Sequence, residues 1–362
     1  MKYTEEFRDA ARVKELAAEL RQITRNPWVI MEICGGQTHS FMHYGIDQLL
    51  PPQVELVHGP GCPVCVTPLE MIDKAIALAS DPNFILASFG DMLRVPGSKG
   101  DLFSVRAAGG AVKVVYSPLD AVQLARQNPD KQVVFFAIGF ETTTPPNALS
   151  IIQAEALGLK NFSLLVSQVR VPQAMEAILS SPANRVQGFL AAGHVCAIMG
   201  YWEYPPIAEK YRVPIAVTGF EPVDLLIGLI DVIRMLENHQ TGVVNSYPRA
   251  VTEAGNQAAQ TAINRVFQPA DRTWRGIGSI PMSGFSLKPE FAQFDAEKRF
   301  DIGHIQTREA EVCIAGKILQ GVMKPPQCPA FGRECTPENP LGAPMVSNEG
   351  ACSAYYRYRK GV

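Results

Sequence analysis

Apolar residues recur along this chain in short continuous runs, separated by stretches with helical hydrophobic spacing. "PWVIMEI" (27–33), "VELVHG" (54–59), "FILASFG" (84–90) and "VKVVYS" (112–117) form one set of runs. "QVVFFAIG" (132–139), "FSLLVSQ" (162–168), "VQGFLAAG" (186–193) and "PIAVTG" (214–219) form a second. Short β-rich apolar runs bounded by turn residues read as strands buried on both faces, and helical spacers between them make the strands parallel. The pattern predicts an α/β fold with two doubly wound parallel-sheet units, one over residues 1–120 and one over 121–240. Loops at the carboxyl ends of such strands share one edge of the sheet, where these folds place their sites.

The pattern changes near residue 240. "TEAGNQAAQTAINRVF" (252–267) reads as a helix, a Trp/Gly/Pro-rich stretch follows, and "REAEVCIAGKILQG" (308–321) reads as one more helix. "KPPQCPAFGRECTPENPLGAP" (324–344) is too rich in proline and glycine for a long helix or an inner strand. Residues 241–362 are therefore expected to form a C-terminal domain, Cys-rich and held by something other than a regular ladder.

Composition changes little in this picture. Of 362 residues 47% are hydrophobic and the formal net charge is −2, which suits a globular chain with a sizeable core. No basic run would track a phosphate backbone, so nucleic acid is not an expected partner. No apolar run reaches the ~18 residues of a membrane span. The charged N-terminus, "MKYTEEFRDAARVKELAAELRQI", reads as an amphipathic helix and not a secretory signal. A cytoplasmic location is expected, where thiols stay reduced and cysteines serve as metal ligands or reactive groups. "RAAGGAV" (106–112) lacks the dinucleotide glycine spacing and no P-loop occurs, so a nucleotide site has no support.

The cysteines carry the chemistry. Cys34 lies in "EICGGQTHS" after the first strand, and Cys62 and Cys65 lie in "GPGCPVC" after the second, so all three can converge on one sheet edge. A C-x-x-C pair can be half a metal site, a redox dithiol or an accident. "TPLE" after the pair reads as a capping box with Thr67 as N-cap, Pro68 at the first helical position and Glu70 at the third. A helix N-terminus there would lower the thiol pKa, which suits metal binding and disulfide exchange equally. His39 either donates a hydrogen bond to a species on Cys34 or is a loop histidine. Glu141, in "GFETTTP", either lines the cleft or belongs to a turn before a helix starting at Pro145. His194 faces the same cleft or is structural, and Cys196 is a small buried hydrophobe.

The tail holds Cys313, Cys328, Cys335 and Cys352 in about forty residues, with no paired C-x₂₋₄-C knuckle of the kind structural zinc prefers. The spread spacing and the Cys-Pro step at 328–329 fit an iron–sulfur cluster better, with zinc and unrelated thiols as alternatives.

"CGGQTH" (34–39), "GPGCPVC" (59–65), "GFETT" (139–143), "GHV" (193–195) and "CPAFGRECTPENPLGAPMVSNEGAC" (328–352) closely resemble the [NiFe]-hydrogenase maturation factor HypD family. The resemblance covers nearly the whole chain. It implies three α/β domains around a cleft, a [4Fe-4S] cluster on Cys313, Cys328, Cys335 and Cys352, and a scaffold for the Fe(CN)₂CO fragment of the hydrogenase centre. It implies Cys34 as the iron ligand and Cys62 with Cys65 as a redox dithiol. It implies a HypC-type small chaperone and a HypE-type cyanide donor as partners. A free-standing disulfide reductase would use the same cysteines and differ in having no need of Cys34.

Overall fold

The computed structural model describes residues 5–302, 305 and 307–359. The expected N-terminal helix is α1 (Ala10–Ile23), started by the Asp9 carboxylate accepting the Arg12 N–H at 2.7 Å; residues 1–4 lie outside the described residues. Strand and helix then alternate. β1 (Trp28–Glu32), α2 (Gly35–His43), β2 (Val54–His58), the one-turn α3 (Pro63–Val66) and α4 (Leu69–Ser80) come first. β3 (Phe84–Ser88), α5 (Leu102–Ala107), β4 (Val112–Val114), α6 (Pro118–Gln127), β5 (Gln132–Gly139), α7 (Thr144–Ala156), β6 (Phe162–Gln168) and α8 (Val171–Ser180) follow. β7 (Gly188–Ala192), α9 (Gly193–Met199), α10 (Tyr204–Tyr211), β8 (Pro214–Thr218), α11 (Pro222–Glu237) and β9 (Gly242–Asn245) complete the alternation.

The strands form two all-parallel sheets, in the orders β2-β1-β7-β8-β9 and β4-β3-β5-β6. Every residue of β6, β7 and β8 is buried, as strands covered on both faces require. The α/β class is as expected, but the grouping of strands is not. The chain leaves the first sheet after β2, builds the whole second sheet, and returns with β7 to pair beside β1. Cuts at residues 120 and 240 therefore do not separate the sheets. Apolar runs identify strands but are alike enough that they say nothing of which strand pairs with which. Gly188 shows how tight the return is: a Cβ there would stand 2.6 Å from Val232 Cγ1 of α11.

Beyond β9 come α12 (Gln257–Val266), β10 (Phe267–Trp274), β11 (Gly278–Leu287), α13 (Ala296–Arg299), α14 (Ala315–Leu319) and α15 (Ala351–Tyr358). The Trp/Gly/Pro-rich stretch is an antiparallel hairpin, β10 with β11, whose turn uses Gly276 at φ +77° and Gly278 at φ +106°. The helix expected over 308–321 shrinks to α14. Most of its charged first half is exposed, and a short segment with little packing does not hold a helix. From 320 to 350 the described tail has two single 3₁₀ turns, Pro325–Gln327 and Ala343–Met345, and one isolated bridge between Phe331 and Cys335, in keeping with its proline content. Among the described residues no helix is long and apolar enough to cross a membrane.

Candidate functional site

Three neighbouring strands of the larger sheet build the site. β1 lies between β2 and β7, with Glu32 in register with His58 on one side and Leu190 on the other. The loops after all three strands therefore emerge side by side. The loop after β1 carries Cys34, which is the extended N-cap residue of α2. The loop after β2 is Gly59–Pro60–Gly61, and Cys62 is the N-cap of α3 with Cys65 inside its single turn. The loop after β7 opens α9 with His194.

Glycine at 61 is what lets two of these loops touch. A Cβ there would lie 2.3 Å from Cys34 Cα, and the Gly61 carbonyl accepts the Gly35 N–H at 3.0 Å. Gly35 is equally confined, since a Cβ would meet Glu349 Cβ at 2.7 Å and Cys62 Cβ at 3.2 Å. Cys34, Cys62 and Cys65 are all buried. His194 Nδ1 stands 3.7 Å from Cys34 Sγ, and its ring leans on Phe220 with centroids 5.2 Å apart. Burial pushes His194 down to about 4, so the imidazole is neutral near pH 7.

The electrostatics differ from the sequence expectation. Burial pushes the Cys34 thiol well above the usual range, and the nearby Glu349 carboxylate adds to the shift. Burial does the same to Cys65, reinforced by its hydrogen bond with Cys62. The expected capping box is absent. Thr67 closes α3, its hydroxyl donating to the Pro63 carbonyl at 2.8 Å, and α4 starts at Leu69 with Pro68 as N-cap. One turn of helix supplies too little dipole to outweigh desolvation.

Under Cys34 lies a carboxylate that sequence reasoning missed. Glu32 is fully buried; it accepts the Cys34 N–H at 3.0 Å, the Thr38 hydroxyl, and His58 Nδ1–H at 2.7 Å. His58 Nε2 meets the Tyr355 hydroxyl at 3.2 Å. The available signal was a glutamate inside the apolar run "PWVIMEI".

The other candidates fall elsewhere. His39 Nδ1 donates to the Asn348 carbonyl at 3.3 Å, and the ring stacks on His43 and abuts Tyr358, so its contacts tie α2 to the tail. Glu141 follows β5 of the smaller sheet. It is buried, one oxygen accepts the Val171 N–H at 2.9 Å, the other has no partner, and burial raises its pKa to about 7. Its charge is felt at Cys196 and Tyr204. Cys196 is two positions after His194, which an α-helix turns by about 200°, so the two occupy opposite faces of α9. Thr144 donates to Gln168 at 2.9 Å, and the helix begins at Thr144 rather than Pro145. Cys196 is buried beside the Tyr204 hydroxyl at 3.8 Å, with its thiol pushed up to about 12, as a small core residue would be.

In the tail, Cys313, Cys328, Cys335 and Cys352 line one small pocket with Ile318, Phe331 and Met345. Cys335 Sγ accepts the Leu341 N–H at 3.4 Å. Burial raises Cys352 well above the usual thiol range, and Cys313, Cys335 and Cys328 each push it further. Among the described residues no three His, Cys, Asp or Glu side chains stand close enough to hold one metal ion. The tail reaches the front thiols, since a Cβ on Gly35 would meet both Cys62 and Glu349, three residues before Cys352.

Two parallel sheets, with a thiol–imidazole cluster on one edge and a four-thiol pocket beside it, define an α/β protein with its cysteines gathered in two neighbouring groups. The family described as "HypD: Hydrogenase formation hypA family" matches residues 11–359, and the chain belongs to the HypD family. It is 46% identical to the hydrogenase maturation factor HypD of Rhodobacter capsulatus over 99% of this chain and 98% of that protein. It is 47% identical to that of Azotobacter vinelandii, over 99% of this chain and 97% of that protein. It is 42% identical to that of Escherichia coli K12, over 99% of each.

Proposed function

We propose that this protein is a hydrogenase maturation factor that holds the Fe(CN)₂CO fragment as cargo on Cys34. The observation that supports this reading is the convergence of Cys34, Cys62, Cys65 and His194 on one sheet edge, with the tail pocket adjoining. Soft thiolates suit iron that carries strong-field ligands. His194, neutral and 3.7 Å from Cys34 Sγ, supplies a ring nitrogen that orients the sulfur or takes its proton when the metal binds.

Cys62 and Cys65 are the redox dithiol in this reading. Forming their disulfide releases two electrons and two protons; restoring the thiols takes them back. Cys313, Cys328, Cys335 and Cys352 would hold a [4Fe-4S] cluster. The donor set fits: four thiols line one otherwise apolar pocket, and an N–H···S bond already reaches Cys335. The four cysteines are spread along the tail with no paired C-x₂₋₄-C knuckle, which favours a cluster over a single structural zinc ion. When bound, the cluster supplies single electrons beside the two-electron thiol couple. Cys34 is buried and tied at both its N–H and its sulfur, which suits a holder of cargo better than a mobile attacking thiol. A HypC-type chaperone and a HypE-type cyanide donor are the proposed partners, and the cytoplasm the proposed location.

Infrared spectra of the protein purified anaerobically with its partners test the reading. Cyanide and carbonyl stretches that vanish in Cys34→Ala are expected. Their absence from fully loaded complex would replace the scaffold with a disulfide reductase.

A further inference from the structure

The hydrogen-bonded chain beneath the thiols has no part in the chemistry above. Glu32 sits on the central strand β1, fully buried, where an apolar side chain would cost far less desolvation. Its two oxygens serve three donors: Oε2 takes the Cys34 N–H at 3.0 Å, and Oε1 takes the Thr38 hydroxyl and His58 at 2.7 Å. A carboxylate only accepts, so His58 Nδ1 carries the hydrogen. His58 Nε2 is then the acceptor for the Tyr355 hydroxyl at 3.2 Å. Burial holds that hydroxyl protonated, pushing it up to about 12. The two rings also meet edge to face, with centroids 5.3 Å apart at 78°.

Tyr355 belongs to α15, three residues after Cys352, which places both on neighbouring positions of one helix face. Every link is buried and stands on a strand or a helix rather than a loop. From this geometry we propose that Glu32, His58 and Tyr355 are positioning residues that hold Cys34 in register with the tail helix bearing Cys352. The proposal rests on Cys34 as the cargo ligand and adds what fixes that ligand. Its consequence is that order in the tail pocket sets the pose of Cys34. An iron ligand held by a carboxylate-anchored backbone keeps its geometry only while the outer partners stay in place.

Tyr355→Phe is the test, because it removes one hydroxyl and keeps the ring. Hydrogen exchange of the segment around Cys34 and the alkylation rate of Cys34 relative to Cys62 and Cys65 are measured, beside iron and sulfide content. Iron and sulfide should match wild type. Exchange and Cys34 alkylation should each rise about fivefold, as the loss of one buried hydrogen bond predicts. Cys352→Ala should loosen Cys34 in the wild-type background and add little in Tyr355→Phe, since the two act through one chain. Wild-type exchange and alkylation in Tyr355→Phe, or effects of the two substitutions that simply add, would overturn the proposal. None of these readouts needs cargo iron on Cys34. If Cys34→Ala still matures hydrogenase while the coupling holds, the cargo reading fails and the positioning role stands.

Discussion

At the scale of single residues, desolvation decides the state of the site. Cys34 and Cys65 are buried, and burial is the largest cause that disfavours their thiolates. Their pKa values are raised, so at pH 8 little thiolate exists in the metal-free protein. Alkylation of either thiol should accelerate nearly tenfold per pH unit and show no plateau up to pH 9. A plateau below pH 8.5 would mean that some group stabilises the thiolate after all. On the proposed reading, metal binding would have to displace these protons, and the same burial would keep the thiols protonated until then. Cys34→Ala removes one small buried side chain and should leave the fold and the tail pocket intact while abolishing maturation. Hydrogenase activity in cells complemented with the variant checks this, beside thermal unfolding of the purified protein.

At the scale of elements, the site is made by close approach of loops after parallel strands. Gly61 is the tightest point, since any side chain there would enter the Cys34 backbone. Gly61→Ala should destabilise the protein by at least ~2 kcal/mol through overpacking, and should separate the loops of Cys34 and Cys62. Denaturant unfolding measures the first effect, and failure of Cys34 to crosslink to Cys62 with a short bifunctional thiol reagent measures the second. The tail is ordered by different means. It packs a small apolar cluster of its own, Ile318, Ala330 and Met345 beside Cys335 and Cys352, and its four thiols line one pocket. Cys335→Ala should lose the brown colour of the reconstituted protein and open the chain after residue 310 to protease. Unchanged iron and sulfide content in that variant would remove Cys335 from the ligand set.

At the scale of the whole molecule, the two sheets are interleaved in sequence. β1 and β2 come early, yet β1 needs β7 as its other neighbour. A fragment of residues 1–120 therefore leaves the inner edge of β1 unpaired and buried apolar residues exposed. Expressed alone, it should lack the cooperative unfolding of the intact chain. Co-expression with residues 121–362 should restore a soluble complex. Independent cooperative folding of the first fragment, seen by calorimetry, would contradict the interleaved topology.

Much of this was legible in the amino-acid order. Apolar runs marked β1 to β8, and glycines after them marked the loops that carry Cys34, Cys62 and His194. Cysteine spacing separated a front group from a tail group. These are local properties, written in the spacing of neighbours along the chain. What only the tertiary structure decided is non-local. Which strands share a sheet depends on pairing across more than a hundred residues. The raised thiol pKa depends on burial, which a capping pattern at Thr67 does not report. The contact of Cys34 with His194, 160 residues apart, and the chain from Glu32 through His58 to Tyr355 exist only because β7 and α15 fold back against β1 and β2. Spacing along a chain fixes what an element is; desolvation and packing between distant elements fix what its side chains can do.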